Sequence, residues 1–181
     1  MTQLTSGDAQ PVLVRADDAE TLGVAPATIQ LLADGDPASG AVSVARSRLG
    51  KGTDGPPPHY HGGSAEIFFI IEGGLHVLAG ERVITVAEGD FLLVPPNTAH
   101  AFCTPADTGV DMLFLMPGAE RFEYFRLGDR IRQGNARPQE LLDTQDRFDN
   151  HFLDSPVWRQ FRSTAHGLVA PPAPGDETHT P

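Results

Sequence analysis

Up to about residue 116, the apolar residues of this chain fall in short runs of strand length. They are Val12 to Val14, Thr28 to Leu32, Ala41 to Leu49, Glu66 to Ile71, Leu75 to Leu78, Arg82 to Val86, Phe91 to Val94, Ala99 to Thr104 and Val110 to Met116. Turn-forming clusters divide them: Gly35-Asp36-Pro37, Gly73-Gly74, Glu88-Gly89-Asp90 and Pro95-Pro96-Asn97. Many short strands with this punctuation predict an all-β sandwich or barrel, and periodicity alone does not choose between them. Ile67-Phe68-Phe69-Ile70-Ile71 is apolar on consecutive rather than alternate residues. Such a strand is expected to be covered on both faces, one by the interior and one by another layer or a partner subunit.

The pattern changes after residue 116. Phe122, Phe125 and Ile131 form an apolar stripe at helical spacing. Pro138 suits the first turn of a second helix, with Leu141, Leu142, Phe148 and Phe152 as its buried face and Pro156 ending or interrupting it. These helices are expected to pack on the outside of the barrel. The last residues are rich in Pro, Ala and Thr with little to bury, which predicts a disordered tail over 164–181. The expected organisation is one domain over 1–163, with a barrel core at about 40–116 and a helical extension at about 117–163. No repeat of fixed period is present.

The net charge of −11 repels phosphate backbones and anionic lipid, which argues against nucleic-acid and membrane partners. Solubility is the plainer consequence of that charge. No apolar run approaches the roughly 18 residues that span a bilayer. The N-terminus shows no basic segment followed by an apolar one. Cys103 is the single cysteine, so an internal disulfide is excluded. Together these predict a cytoplasmic protein. Lys51 is the single lysine and lies in a Gly-rich loop, so it is the one candidate for Schiff-base chemistry.

His59 and His61 are two residues apart, which on an extended strand puts both side chains on one face. The small residues Gly62-Gly63-Ser64-Ala65 can fold back and bring Glu66 beside them. His100 follows a Gly-Asp turn, a strand and a Pro-Pro-Asn turn, enough chain for an antiparallel barrel to return it to a neighbouring strand. Three imidazoles and a carboxylate suit one divalent transition metal (Fe, Ni, Mn, Co, Cu or Zn) with positions left for water, substrate or dioxygen. Taken singly, each residue has a plainer reading. A His-x-His arises by chance, Glu66 alone is a loop carboxylate, and His100 alone is a core or surface histidine.

The framework around the four residues is more specific. The stretch His59-Tyr60-His61-Gly62-Gly63-Ser64-Ala65-Glu66, with Gly73 after it, resembles the first motif of the cupin family. The stretch Gly89-Asp90-Phe91-Leu92-Leu93-Val94-Pro95-Pro96-Asn97-Thr98-Ala99-His100 resembles the second. Asn97 stands where many cupins have Gly, and Asn also enters left-handed turns. Thr104 stands where the pattern often has Asn, and the glycine before the first His is blurred between Gly52 and Gly55. The resemblance implies a cupin (jelly-roll) β-barrel and a metal held by His59, His61, Glu66 and His100. His76 reads as a surface or packing histidine, and His151, His166 and His179 have no assigned role.

Tyr60, Phe68, Phe91, Phe102, Met112 and Phe114 lie on strands near these residues and are candidates for the substrate pocket. Counting by twos, Phe68 shares a face with Glu66 and Phe102 with His100. Ordinary core packing is the alternative for both. An apolar pocket beside an open metal suits a small hydrophobic or aromatic substrate. Arg46 and Arg48 are candidates for binding a substrate carboxylate, with strand parity left open.

Glu66-Ile67-Phe68-Phe69-Ile70, Gly89-Asp90-Phe91 and Gly118-Ala119-Glu120-Arg121-Phe122 are similar to stretches of single-domain bacterial quercetin 2,3-dioxygenases. That resemblance implies a dioxygenase acting on an enol or phenol such as a flavonol, with Glu66 as both ligand and general base. Two alternatives remain. One is a non-redox metal cupin (isomerase, cyclase or lyase) in which Glu66 or Tyr60 moves protons. The other is a non-catalytic ligand-binding or sensor module. The doubly apolar strands predict a homodimer.

Overall fold

The computed structural model describes residues 12–35 and 42–165. In chain order the elements are β1 (Thr21–Val24), β2 (Ala27–Ala33), β3 (Val42–Leu49), β4 (His59–Tyr60), β5 (Glu66–Ala79), β6 (Arg82–Ala87), β7 (Phe91–Val94), β8 (His100–Cys103) and β9 (Val110–Pro117). Then come α1 (Phe122–Arg132), α2 (Pro138–Asp143), α3 (Gln145–Phe148), β10 (His151–Phe152) and α4 (Pro156–Ala165). All neighbouring strands are antiparallel. One sheet runs β1-β2-β3-β9-β5-β7. The other runs β6-β5-β8-β4-β10. This is the expected all-β jelly roll with a C-terminal helical extension, although the ladders do not close into a ring among the described residues.

β5 belongs to both sheets. Glu66 to Gly73 pairs with β7 and β9, and Gly74 to Ala79 pairs with β6 and β8. The sequence predicted two strands divided at Gly73-Gly74, whereas the structure has one bent strand. Gly73 makes the bend with φ 77°, and a Cβ there would lie 2.0 Å from the Gly109 carbonyl oxygen. Only glycine lets the strand turn without leaving the ladder.

Alternate residues of the strands fill the space between the sheets. Phe68, Ile70, Leu75, Val77, Val94, Met112 and Met116 are buried there. A second cluster lies outside the β5–β8 half, where Trp158, Val157 and Phe161 of α4 cover Leu78, Ala101 and Cys103.

Several expected elements differ. Residues 12–14 form no strand and are exposed, while β1 lies further along at Thr21–Val24. Pro156 opens α4 rather than ending a helix, consistent with a ring whose missing N–H costs nothing at a first turn. The helix predicted from Pro138 through Phe152 is broken. Leu142 is exposed, Asp149 adopts a left-handed φ of 46°, and Phe152 pairs with His59 in β10. Asp149 leaves the helical region because its carboxylate accepts the Gly62 and Gly63 N–H groups at 2.7 and 2.8 Å. Of the tail expected over 164–181, residues 164 and 165 belong to α4 and 166–181 lie outside the described residues, as do Asp36-Pro37 of the first turn. No helix among the described residues is long and apolar enough to cross a membrane.

Candidate metal centre and its cavity

The two sheets bring His59, His61, Glu66 and His100 together. His59 opens β4 opposite His100, which opens β8, and Glu66 opens β5. Between them the Gly62–Ala65 loop turns back, held by the Asp149 carboxylate on one side. On the other side Asn97, at φ 61°, donates its N–H to the His61 carbonyl at 2.6 Å. All four side chains are at least nine-tenths buried, and their donor atoms lie within 4.8 Å of one another. Glu66 Oε2 is 2.7 Å from His61 Nε2, 2.9 Å from His100 Nε2 and 3.9 Å from His59 Nε2.

The donor chemistry fits a cation. His59 Nδ1 faces the Pro57 carbonyl at 2.9 Å, His61 Nδ1 that of Asp149 at 2.5 Å and His100 Nδ1 that of Thr98 at 2.8 Å. Each carbonyl takes the Nδ1 proton, which leaves the Nε2 lone pairs aimed inward at one point. Four donors each about 2.1 Å from a common centre stand at most about 4.2 Å apart, so a small contraction of the cluster suffices to bind a metal.

Without a cation the cluster shares protons. Burial alone would push Glu66 up, but the charge and hydrogen bonds of His100, with those of His61 and His59, hold its carboxyl below the usual range. Burial works against a charge on His100, yet Glu66 outweighs it and raises that imidazole above its ordinary value. His59 is pushed down to about 3, chiefly by burial and then by the His100 charge.

Beside the cluster lies a cavity of about 220 Å³, almost wholly apolar in its lining. Of the residues expected there, Phe102, Met112 and Phe114 line it. Phe68 is fully buried behind them, with its ring 5.5 Å from Phe102 and 5.9 Å from Phe114. Tyr60 turns away from the cavity and stacks on His151 at 5.0 Å. Phe91 is 64 % exposed, because Leu92 and Val94 take the inward parity of β7. Arg46 and Arg48 do not reach the pocket either. Ser47 and Leu49 face inward on β3, and both arginines pair with Asp111 on the outer face.

The extension contributes more than an outer layer. α4 does cover the outside, but Arg121, Tyr124, Phe125 and Asn150 form part of the cavity wall. The sequence reading assigned none of them to the pocket. Ile29, Ser47, Leu49, Tyr124 and Phe125 also line a groove of about 240 Å³ between β2 and α1, which continues the cavity towards the surface.

Fold and cluster together define a class. Residues 45–116 match the cupin domain family, and the fold is that of a cupin. It is 28% identical over 140 residues to a quercetin 2,3-dioxygenase of Bacillus subtilis (strain 168). That alignment covers 77% of this chain but 41% of the relative, so the chain spans about two fifths of that enzyme's length. Among solved structures it resembles an RmlC-like cupin from Shewanella frigidimarina NCIMB 400, with a TM-score of 0.53 and 18% identity over 64% of this chain and 96% of that one. It also resembles the polyketide cyclase RemF from Streptomyces resistomycificus, with a TM-score of 0.53 and 18% identity over 62% and 82%. At these identities the two structures bear on the fold alone.

Proposed function

We propose that this chain is a metal-dependent cupin enzyme, a dioxygenase acting on an aromatic or hydrophobic enol or phenol such as a flavonol. His59, His61, Glu66 and His100 hold one divalent transition metal (Fe, Ni, Mn, Co, Cu or Zn). The observation that carries this reading is the junction of four convergent buried donors with a largely apolar cavity. The distant similarity to the Bacillus subtilis dioxygenase supports the choice of reaction. When bound, the metal supplies a site where substrate oxygen and dioxygen meet, with electron transfer if it is redox-active.

The protein's own residues do the rest. Glu66 lines the cavity as well as the cluster, so its carboxylate is placed to accept the proton of the substrate hydroxyl. Phe102, Met112 and Phe114 hold the apolar body and exclude water, and the groove along α1 takes whatever extends beyond the cavity. Metal analysis of the purified protein with oxygen uptake on a flavonol tests this reading. Zn alone, with no oxygen uptake across a panel of enols and phenols, would contradict it. Glu66→Gln is expected to lose activity by about 10²-fold or more while losing less of its metal.

Tyr124 favours a second, non-redox reading (isomerase, cyclase or lyase). Its hydroxyl lines the cavity and, protonated at neutral pH even before burial pushes it up to about 12, can hydrogen-bond a substrate oxygen there. Under that reading Tyr124→Phe removes turnover and no oxygen is consumed.

A homodimer is the proposed assembly. Ile67 and Phe69 of β5, Phe91 and Leu93 of β7, and Leu113 and Leu115 of β9 are neighbours on the outer face of one sheet. Phe69, Phe91 and Leu93 are 40, 64 and 48 % exposed.

A further inference from the structure

The cavity wall holds a buried guanidinium with poor acceptors and a buried amide donor with no partner among the described residues. Arg121 is 1 % exposed and lines the cavity, yet it bonds to no carboxylate through its side chain among the described residues. Its Nε–H reaches the Met116 thioether at 2.7 Å, a weak acceptor, and Nη1 donates to the Phe148 carbonyl. Nη2 stands 2.8 Å from His61 Nδ1 and 3.3 Å from Nε2. That Nδ1 is itself 2.5 Å from the Asp149 carbonyl oxygen, an approach that needs a proton between the two atoms. His61 Nδ1 therefore donates and cannot accept, and Nη2 is left with the 3.3 Å approach to Nε2, an atom already directed at Glu66 and the centre of the cluster.

Asn150 supplies the second donor. It is 2 % exposed and lines the same cavity, and its Nδ2 has no hydrogen-bond partner among the described residues. A buried guanidinium to which no carboxylate bonds and a buried amide donor without an acceptor are both unfavourable until something completes them. Glu66 cannot serve, because the imidazoles engage its oxygen and a divalent cation at the cluster would take its charge.

We propose that Arg121 and Asn150 receive a carboxylate of the substrate, so that the molecule this cavity takes is a compact hydrophobic acid. The apolar body lies against Phe102, Met112, Phe114 and Phe125, and the acid group reaches the donors at the wall. A carboxylate fits better than a phosphate. Nη2 of Arg121 and Nδ2 of Asn150 together offer one donor to each oxygen of a carboxylate, few other cationic or amide groups line the cavity, and about 220 Å³ leaves room for one or two rings. The inference takes from the proposed function that this cavity is the substrate site, and it narrows the substrate class.

The test measures equilibrium binding of 2-naphthoate and of its neutral counterpart 2-naphthamide to the full chain, as purified and again after the metal is removed by chelation. The wild type is expected to prefer naphthoate in both forms. Arg121→Met is expected to weaken naphthoate by roughly tenfold or more and Asn150→Leu by several-fold, with naphthamide changed less than twofold by either. Arg121→Lys, which keeps the charge but loses the planar, pre-oriented Nη2 donor, is expected to fall between wild type and Arg121→Met. Equal affinity of the wild type for the two probes, or loss of both probes together in the variants, overturns the inference and leaves Arg121 a packing strut. Should Arg121→Met fail to fold, Asn150→Leu carries the same comparison. Because the metal-free protein is measured separately, a chain that binds no metal but still selects naphthoate refutes the proposed function and keeps the inference. Flavonol turnover without naphthoate selectivity does the reverse.

Discussion

His61 is gripped from two directions. Its Nδ1 meets the Asp149 carbonyl, and the two glycines after it donate their N–H groups to the Asp149 carboxylate at 2.7 and 2.8 Å. One residue of the extension thus sets both the tautomer of an imidazole and the path of the loop that leads to Glu66. Asp149→Ala keeps the carbonyl that His61 Nδ1 faces but frees the Gly62–Gly63 loop, so it is expected to weaken metal binding by about 10-fold without unfolding the barrel. Competition against a chromophoric chelator reads that affinity directly. His61→Ala and His100→Ala are expected to abolish metal binding while circular dichroism stays that of the wild type. Full metal occupancy in both would remove the ligand assignment. His59, His61 and Glu66 were legible in the sequence because strand parity and the short glycine loop are local matters, and His100 because it stands in a stretch that resembles the second cupin motif. Arg121 and Asn150 were not, because their places at the cavity depend on contacts between segments far apart in the chain.

At the level of elements, parity decided what reading along the chain left open. On β3 the inward residues are Ser43, Ala45, Ser47 and Leu49, small and partly polar, while Arg46 and Arg48 face out. Apolar bulk does not mark the inner face of that strand, but the two charges beside a neighbouring aspartate do mark the outer one. Asp111 on β9 lies directly opposite Arg48, and both its oxygens accept from Arg46 at 2.7 Å. Burial would push the Asp111 carboxyl up, but the hydrogen bonds from Arg46 and Arg48 outweigh it and hold the group below its ordinary 3.8. A carboxylate depressed in the folded state stabilises the fold above its unfolded pKa, and that contribution fades as the pH falls through the folded value. Asp111→Asn is therefore expected to cost about 1 kcal/mol at neutral pH, less in high salt because both arginines are part-exposed. Denaturant titrations should show the gap between variant and wild type closing only in acid, below about pH 4. A gap that widened in acid would contradict this account of the pair.

The molecule as a whole is a core that opens into a cavity at one side and presents an apolar outer face at another. The doubly apolar run Ile67 to Ile71 predicted covering on both faces, and the structure shows where each half goes. Phe68 and Ile70 point between the sheets, while Phe69 meets Phe91 of β7 on the outside. Outward residues of β5, β7 and β9 make this surface three strands wide, on the sheet that α4 does not cover. A monomer leaving such a face in water would be prone to associate without limit, whereas a two-fold pairing buries the same patch against itself and closes. Phe91 is the most exposed of the group at 64 % and has least to lose within its own chain, so a charge there bears on the interface and little on the core. The double variant Phe69→Asp, Phe91→Asp puts four carboxylates across one two-fold contact, where like charges brought together out of water repel strongly. Sedimentation equilibrium at micromolar concentration is expected to give a dimer for the wild type and a monomer with unchanged circular dichroism for this variant. If the variant remains dimeric, the subunits meet through another surface.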